Sequence, residues 1–294
     1  MVTAVGALPV YLRLGRVSNL PTVWTNVLAG AVLAGGATEP AALVALAIAL
    51  SLFYEGGMFL NDAFDREIDA RERPERPIPA GLVSADHVFT VGFVLLGAGL
   101  ALVAAVAVAG AGPGAWTAVA AGLALGGTIV YYDAHHKGNP LSPLVMGLCR
   151  VLVYVTAALA VAGTVAAAVL GGALALLAYL IGLTYIAKQE TLTKVSNLWP
   201  LLFLAVPFLY ALPTLGRPAA AAVFVGFLVW TLYALSLLVR RRGRRIPRAV
   251  VSLIAGISLL DALLIAGAAT PALALVGVAG FALTLVLQRY VSGT

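Results

Sequence analysis

The sequence predicts an all-α protein, a polytopic transmembrane bundle of nine or ten spans forming a single domain over residues 1–294. Three observations predict it. Of the 294 residues, 62% are hydrophobic and only 10% charged, and the mean hydropathy is +1.03, well beyond the range of a soluble chain. The apolar runs reach the roughly 20 residues that a bilayer core requires. The segments between runs alternate between basic and nearly free of Lys and Arg, the charge asymmetry of a multi-span membrane protein.

In chain order, the candidate spans are 18–37, 41–66, 84–110, 114–133, 142–161, 166–188, 197–214, 218–239, 248–268 and 271–291. The first follows Arg13 and Arg16 without a small-residue cleavage pattern, so no signal peptide is evident and this span is expected to remain. One set of breaks, at Glu39-Pro40, Gly112-Pro113, Gly216-Arg217-Pro218 and Thr270-Pro271, consists of turn-forming residues. The other set carries Arg13 and Arg16, the arginines from 66 to 76, Lys137, Lys188 with Lys194, the tract Arg240–Arg245, and Arg289. That set is expected on the cytoplasmic side of the cell inner (plasma) membrane. Glycines such as Gly30, Gly35, Gly36, Gly97, Gly99, Gly122, Gly126, Gly127, Gly171 and Gly172 are expected to let helix backbones approach closely. The net charge of +6 sits in these short loops, where topology explains it, so no nucleic-acid partner is implied. The one cysteine, Cys149, cannot form an intramolecular disulfide and is expected in the core.

The second span ends in the one dense charge cluster of the chain, Asn61 to Gly81. If the helix continues through Asp69, the carboxylates of Asp62, Asp65 and Asp69, at i, i+3 and i+7, share one face. Three like charges repel one another unless they are solvated or bridged by a hard divalent cation. Arg66, Arg71, Arg73 and Arg76 follow in a Pro-punctuated loop, and guanidiniums suit phosphate oxygens. Together they suggest a site for a Mg²⁺-bound diphosphate; the simpler alternative is a solvated loop whose arginines only set topology.

The pattern Asn61-Asp62-x-x-Asp65-x-x-x-Asp69, followed by Arg73-Pro74-x-Arg76-Pro77-x-Pro79-x-Gly81, resembles the first Asp-rich motif of the UbiA-type intramembrane prenyltransferases. The stretch from Tyr131 to Pro143, with Met146 to Arg150, is similar to the EboC-like branch of that family. The resemblance implies a bundle whose central cavity opens laterally to lipid, with Mg²⁺ as cofactor and a prenyl diphosphate as substrate. It also implies a lipid-soluble or aromatic acceptor. Asp62, Asp65 and Asp69 would be catalytic and metal-binding; Asn61, Arg66, Arg73, Arg76, Lys137, Arg150, Lys188 and Lys194 would bind substrate. A second motif, D-x-x-x-D, belongs near the end of the sixth span, where this sequence has Lys188-Gln189-Glu190 and Lys194. There Glu190 is the candidate second metal ligand, and Asp133, ending the fourth span, is a candidate replacement carboxylate.

Arg150 lies about 13 Å into the fifth span, where a lone charge costs several kcal/mol, and Glu55 is its expected partner. Adjacent His135 and His136 are expected in a loop and on different faces, and Asp261 is an intramembrane carboxylate with no partner visible in sequence. Two other functions fit less of the pattern: a non-catalytic isoprenoid-lipid binder retaining the fold, and a transporter, for which the Asp face joined to a Pro-rich basic loop has no use.

Overall fold

The computed structural model describes residues 4–35, 39–110, 114–188, 199–239, 245–268 and 270–293, and among these there is no strand. The helices are α1 Ala4–Leu14, α2 Leu20–Leu33, α3 Pro40–Phe64, α4 Arg66–Glu72, α5 Ala85–Gly110, α6 Ala115–His135, α7 Ser142–Ala162, α8 Ala167–Ala187, α9 Val206–Ala211, α10 Pro218–Val239, α11 Arg245–Gly267 and α12 Pro271–Leu287. Helices α3, α5, α6, α7, α8, α10 and α11 are each long and apolar enough to cross a bilayer. The remaining candidate spans take shorter forms among the described residues. These are α2, α12, and a segment over Trp199–Thr214 in which α9 is flanked by 3₁₀ turns.

The starts follow from local chemistry. Pro lies in the first turn of α2, α3, α7, α9 and α12, where its missing N–H is no loss. The Glu39 carboxylate also caps α3 by accepting from Ala42 N at 2.9 Å. Small residues then set the packing. A Cβ on Gly30 of α2 would lie 2.7 Å from the Tyr154 carbonyl oxygen of α7, and one on Gly56 of α3 would lie 2.9 Å from the Gly92 carbonyl oxygen of α5. These backbones are therefore as close as glycine allows. The expectation for the other glycines is met in part. Gly99, Gly122, Gly171 and Gly172 sit in tight contacts, whereas Gly97 and Gly127 face open space, Gly35 is a left-handed turn residue, and Gly36 lies outside the described residues.

Two large apolar cores result, beside a small cluster of α1, α3 and α5. One joins α3, α5 and α6; the other joins α8, α9, α10, α11 and α12; α2 and α7 contribute to both. The most enclosed span is α11, 89% buried over its apolar window, against 17% for α10, which lies at the periphery. Contacts between distant residues sort the loops onto two ends. Arg16 meets Asp62, Lys137 meets Asp65, Lys188 meets Asn139 and Gln288 meets Asn19 at one end. At the other, Gly114 lies beside Gly163, and Gly267 beside Thr214. This is the alternation that the basic loops predicted.

One local expectation is corrected. The second span does not run through Asp69 as a single helix: α3 stops at Phe64, Asp65 caps it, and α4 starts afresh at Arg66. The carbonyl oxygen of Asp65 accepts from both Ile68 and Asp69, a tightened turn that re-aims the chain while keeping Asp62, Asp65 and Asp69 buried.

Candidate active site

Between the two cores lies a cavity of about 320 Å³. Its inner walls are apolar, with Val23, Leu50, Phe53, Leu125, Val153 and Leu183 from α2, α3, α6, α7 and α8. Its mouth is crowded with charge: Arg16, Asp65, Arg73, Arg76, Lys137 and Lys188 all line it, with Asn61, Tyr132, Asp133 and His136 among them.

The Asp-rich segment forms one wall. Asp62 Oδ1 accepts from Arg16 at 3.0 Å and from Arg76 at 3.2 Å, and Asp69 Oδ2 accepts from Arg76 at 2.7 Å. Arg76 thus clamps the end of α3 to α4 and is presented to the cavity by two carboxylates lying behind it. Burial pushes the Asp69 carboxyl above its usual range, the neighbouring Arg76 notwithstanding. Asp65 reaches across to the loop after α6, with Lys137 Nζ at 3.1 Å and His136 Nε2 at 3.5 Å. Burial alone would raise its pKa, but these two partners outweigh burial and hold the carboxyl below the usual carboxylate range.

Opposite, Lys188 caps α8 and its Nζ donates to Asn139 O and Ser142 Oγ, both at 2.8 Å, which holds the ammonium at the cavity edge; partial burial lowers its pKa. Glu190 and Lys194 lie outside the described residues. Arg66 is placed elsewhere: it bonds the Ala63 carbonyl, pairs with exposed Glu67 and lies over the Phe89 ring, away from the cavity lining.

Arg16 is a site residue that sequence reasoning took only as a topology marker. It adopts the left-handed conformation, φ 44° and ψ 46°, which costs a non-glycine residue about 1–3 kcal/mol and aims the guanidinium at Asp62. Cys149 packs against the core, as expected, and also lines the cavity wall. His135 ends α6, exposed and stacked on Tyr131, while His136 caps that helix and stacks on Tyr132 at the mouth.

Deeper in, the expected Glu55–Arg150 pair is absent. Arg150 instead donates to Asn26 Oδ1 at 2.8 Å and to Thr22 Oγ1 at 3.1 Å, and lies 5.3 Å from the centre of the Tyr54 ring. Asp261, whose role the sequence left open, is fully buried and accepts from Asn26, Thr25 and Tyr154. Packing of α2 against both α7 and α11 assembles this network, and no periodicity within one helix announces it.

Asn61, Asp65 and Asp133 line the mouth and are hard oxygen donors suited to a divalent cation, whereas Asp62 is taken up by Arg16 and Arg76. Asn61 Nδ2 donates to Asp133 Oδ1 at 3.2 Å, while Asp133 Oδ2 is buried without a hydrogen-bond partner, an oxygen available to a ligand at the mouth. Among the described residues no three His, Cys, Asp or Glu side chains stand together as a metal cage. The donors fit a cation of the Mg²⁺ type, which takes one or two protein carboxylates together with water and substrate oxygens.

Comparison with known proteins identifies the family and the fold. The pattern of the UbiA prenyltransferase family matches residues 22–254. Digeranylgeranylglyceryl phosphate synthase of Methanopyrus kandleri is 38% identical over 95 residues, 32% of this chain and 35% of that protein. The protein of the same name from Ignicoccus hospitalis is 41% identical over 96 residues, 33% of this chain and 31% of that one. The chain thus matches about a third of the length of these relatives. The apo structure of a UbiA homologue from Aeropyrum pernix K1 superposes with a TM-score of 0.63 over 85% of this chain and 97% of that one, at 16% identity, a likeness of fold.

Proposed function

The chain belongs to the UbiA prenyltransferase family, and from that premise we propose that it transfers a prenyl group from an allylic prenyl diphosphate to an acceptor, inside the membrane and with Mg²⁺ as cofactor. The observation that carries this reading is the division of the cavity. Its cationic mouth suits a diphosphate, and its apolar interior suits an isoprenoid tail entering from lipid.

The side chains divide the work. Arg76, Lys137 and Lys188 face the position of the diphosphate, with Arg16 and Arg73 beside them, and stabilise the charge that builds on it as the bond from C1 to oxygen breaks. Asp62 and Asp69 keep Arg76 extended toward the substrate instead of solvent. Asn61, Asp65 and Asp133, which line the mouth, would hold the metal, with the unpartnered Asp133 Oδ2 an open ligand position. When bound, the metal supplies further positive charge to the departing diphosphate. The electron pair of that bond leaves with the diphosphate; an electron pair of the acceptor makes the new bond to C1, and the acceptor loses a proton to the aqueous mouth. The apolar walls exclude water from the allylic cation, so that the acceptor captures it first.

The mouth is assigned to the cytoplasmic side of the plasma membrane, because the basic loops gather at that end. The synthases with which the chain shares local identity are named for a glyceryl phosphate product, so a glycerol-phosphate lipid joins an aromatic ring as a candidate acceptor.

Membranes carrying the protein, given labelled geranylgeranyl diphosphate and each acceptor class with Mg²⁺ or with EDTA, are expected to form a prenylated product only with the metal. Saturable binding of the diphosphate without release or product would favour the non-catalytic isoprenoid binder.

A further inference from the structure

The network around Arg150 is not explained by folding alone. A guanidinium within a membrane span costs several kcal/mol, and the simplest compensation is a carboxylate in direct contact. Here the carboxylate is present but held back. Asn26 stands between the two groups, accepting from Arg150 through Oδ1 at 2.8 Å and donating to Asp261 through Nδ2 at 2.8 Å. Asp261 is fully buried, and Thr25 and Tyr154 hold its oxygens as well. Two of the five guanidinium N–H groups are engaged, both with neutral oxygens, on Asn26 and Thr22. The cation lines the cavity beside Tyr54, whose hydroxyl accepts from Asn19 at 3.2 Å. Asp261 therefore balances the charge from behind, while Arg150 presents a planar, preorganised donor surface to the cavity.

Depth makes this a site separate from the mouth. Arg150 lies eight residues beyond Ser142, the residue that Lys188 touches, and so about 12 Å further along α7 at 1.5 Å per residue. Its hydrogen-bond partners, Asn26 and Thr22, are not residues of the mouth, and a hydrocarbon tail has no use for it.

We propose that Arg150 anchors an anionic group, carboxylate or phosphate, of the acceptor substrate, and so places the acceptor's nucleophile between itself and the mouth. The assignment rests on the prenyl-transfer reading for the identity of its ligand as acceptor, although anion capture is measurable on its own. Neutral hydrogen-bonding partners preset the guanidinium, so that specificity arises from leaving it unpaired when the acceptor lacks a charge.

The test uses full-length protein in nanodiscs and two probe pairs, read by equilibrium binding. One pair is 4-hydroxybenzoate against 4-hydroxybenzyl alcohol; the other is geranylgeranylglyceryl phosphate against geranylgeranylglycerol. The wild type is expected to prefer the anionic member of at least one pair by tenfold or more, and that pair identifies the source of the anion. Arg150→Met abolishes the preference, and Arg150→Lys retains part of it. The double variant Arg150→Met/Asp261→Asn, with no charge left unbalanced, serves if the single variant does not fold. Affinity for geranylgeranyl thiodiphosphate, an unreactive donor analogue, stays within threefold in all variants. Equal wild-type affinity for charged and neutral members of both pairs overturns the proposal, as does an unchanged preference in Arg150→Met. A parallel loss of the donor analogue also overturns it, because Arg150 would then belong to the diphosphate site. Failure of the wild type to bind that analogue counts instead against prenyl transfer.

Discussion

Replacing Arg76 by Met separates the two tasks assigned to that side chain. Arg76 Nη1 donates to Asp69 Oδ2 at 2.7 Å and to Asp62 Oδ1 at 3.2 Å, and its side chain is only 16% exposed. Asp62 keeps Arg16 when Arg76 is lost, whereas no other ion pair supports Asp69 among the described residues. Breaking one partner from a buried pair costs about 3–5 kcal/mol. Asp69 can take up a proton, so the lower end, about 3 kcal/mol at neutral pH, is expected. The sign with pH follows: without Arg76 the folded-state pKa of Asp69, already raised by burial, rises further. A carboxyl raised on folding contributes stability that is fully present below its unfolded value of about 4 and is lost as pH rises through the folded value. The deficit in thermal stability of Arg76→Met should therefore shrink as pH falls from 7 toward 4. Arg76→Met/Asp69→Asn should recover most of the stability at pH 7. It should not recover binding: charge-assisted bonds to phosphate contribute about 1.5–3 kcal/mol, so the dissociation constant for geranylgeranyl thiodiphosphate should rise by about 10- to 150-fold in both variants. Thermal melts across pH and equilibrium binding read the two effects separately. Wild-type affinity in the stability-restored double variant would refute the diphosphate role of Arg76. A deficit independent of pH would refute the ion-pair account.

Three further outcomes follow from the same geometry. Asp62→Asn, which weakens the hold on both Arg16 and Arg76 while preserving shape, should lower turnover by at least about 100-fold and lower the melting temperature as well; turnover near wild type in the folded variant would remove Asp62 from the machinery. Asp133→Asn, which replaces the unpartnered oxygen by an amide, should raise the Mg²⁺ concentration for half-maximal activity by about tenfold or more, and an unchanged metal titration would leave that oxygen without a ligand role. In a background lacking Cys149, cysteines placed at Glu39 and Arg217 should react with an impermeant reagent from outside intact cells and one at Lys137 should not; the reverse pattern would invert the assigned topology.

Much of the architecture was legible because bilayer spanning imposes a length and apolar composition that a linear scan detects. The clustering of Asp62, Asp65 and Asp69 was legible from their spacing, but their burial and the break at Asp65 were not. Asp65 remains close to helical dihedrals, and the change of direction arises in how the turn packs. Arg16 was hidden for a different reason: a single left-handed residue converts a loop arginine into a wall of the cavity, and no neighbour in sequence requires it. The partner of Arg150 was misassigned to Glu55 because helical periodicity describes faces within one helix and says nothing about which helices adjoin. Asn26 and Asp261 are 235 residues apart and meet only through the packing of α2 against α11. Asp133 was legible as a spare carboxylate; that one of its oxygens lacks a partner became visible only with Asn61 placed against the other.

The central claim is that the mouth of the cavity promotes heterolysis of an allylic diphosphate, and comparison of an allylic substrate with its saturated counterpart tests it most directly. Both fit the same mouth and tail pocket, but only the allylic compound yields a stabilised cation. Purified wild-type protein with Mg²⁺ and acceptor should release diphosphate from geranylgeranyl diphosphate and none from the saturated analogue, which should bind with similar affinity and inhibit competitively. Release that is equal for the two compounds, or absent for both despite tight binding, would contradict the account.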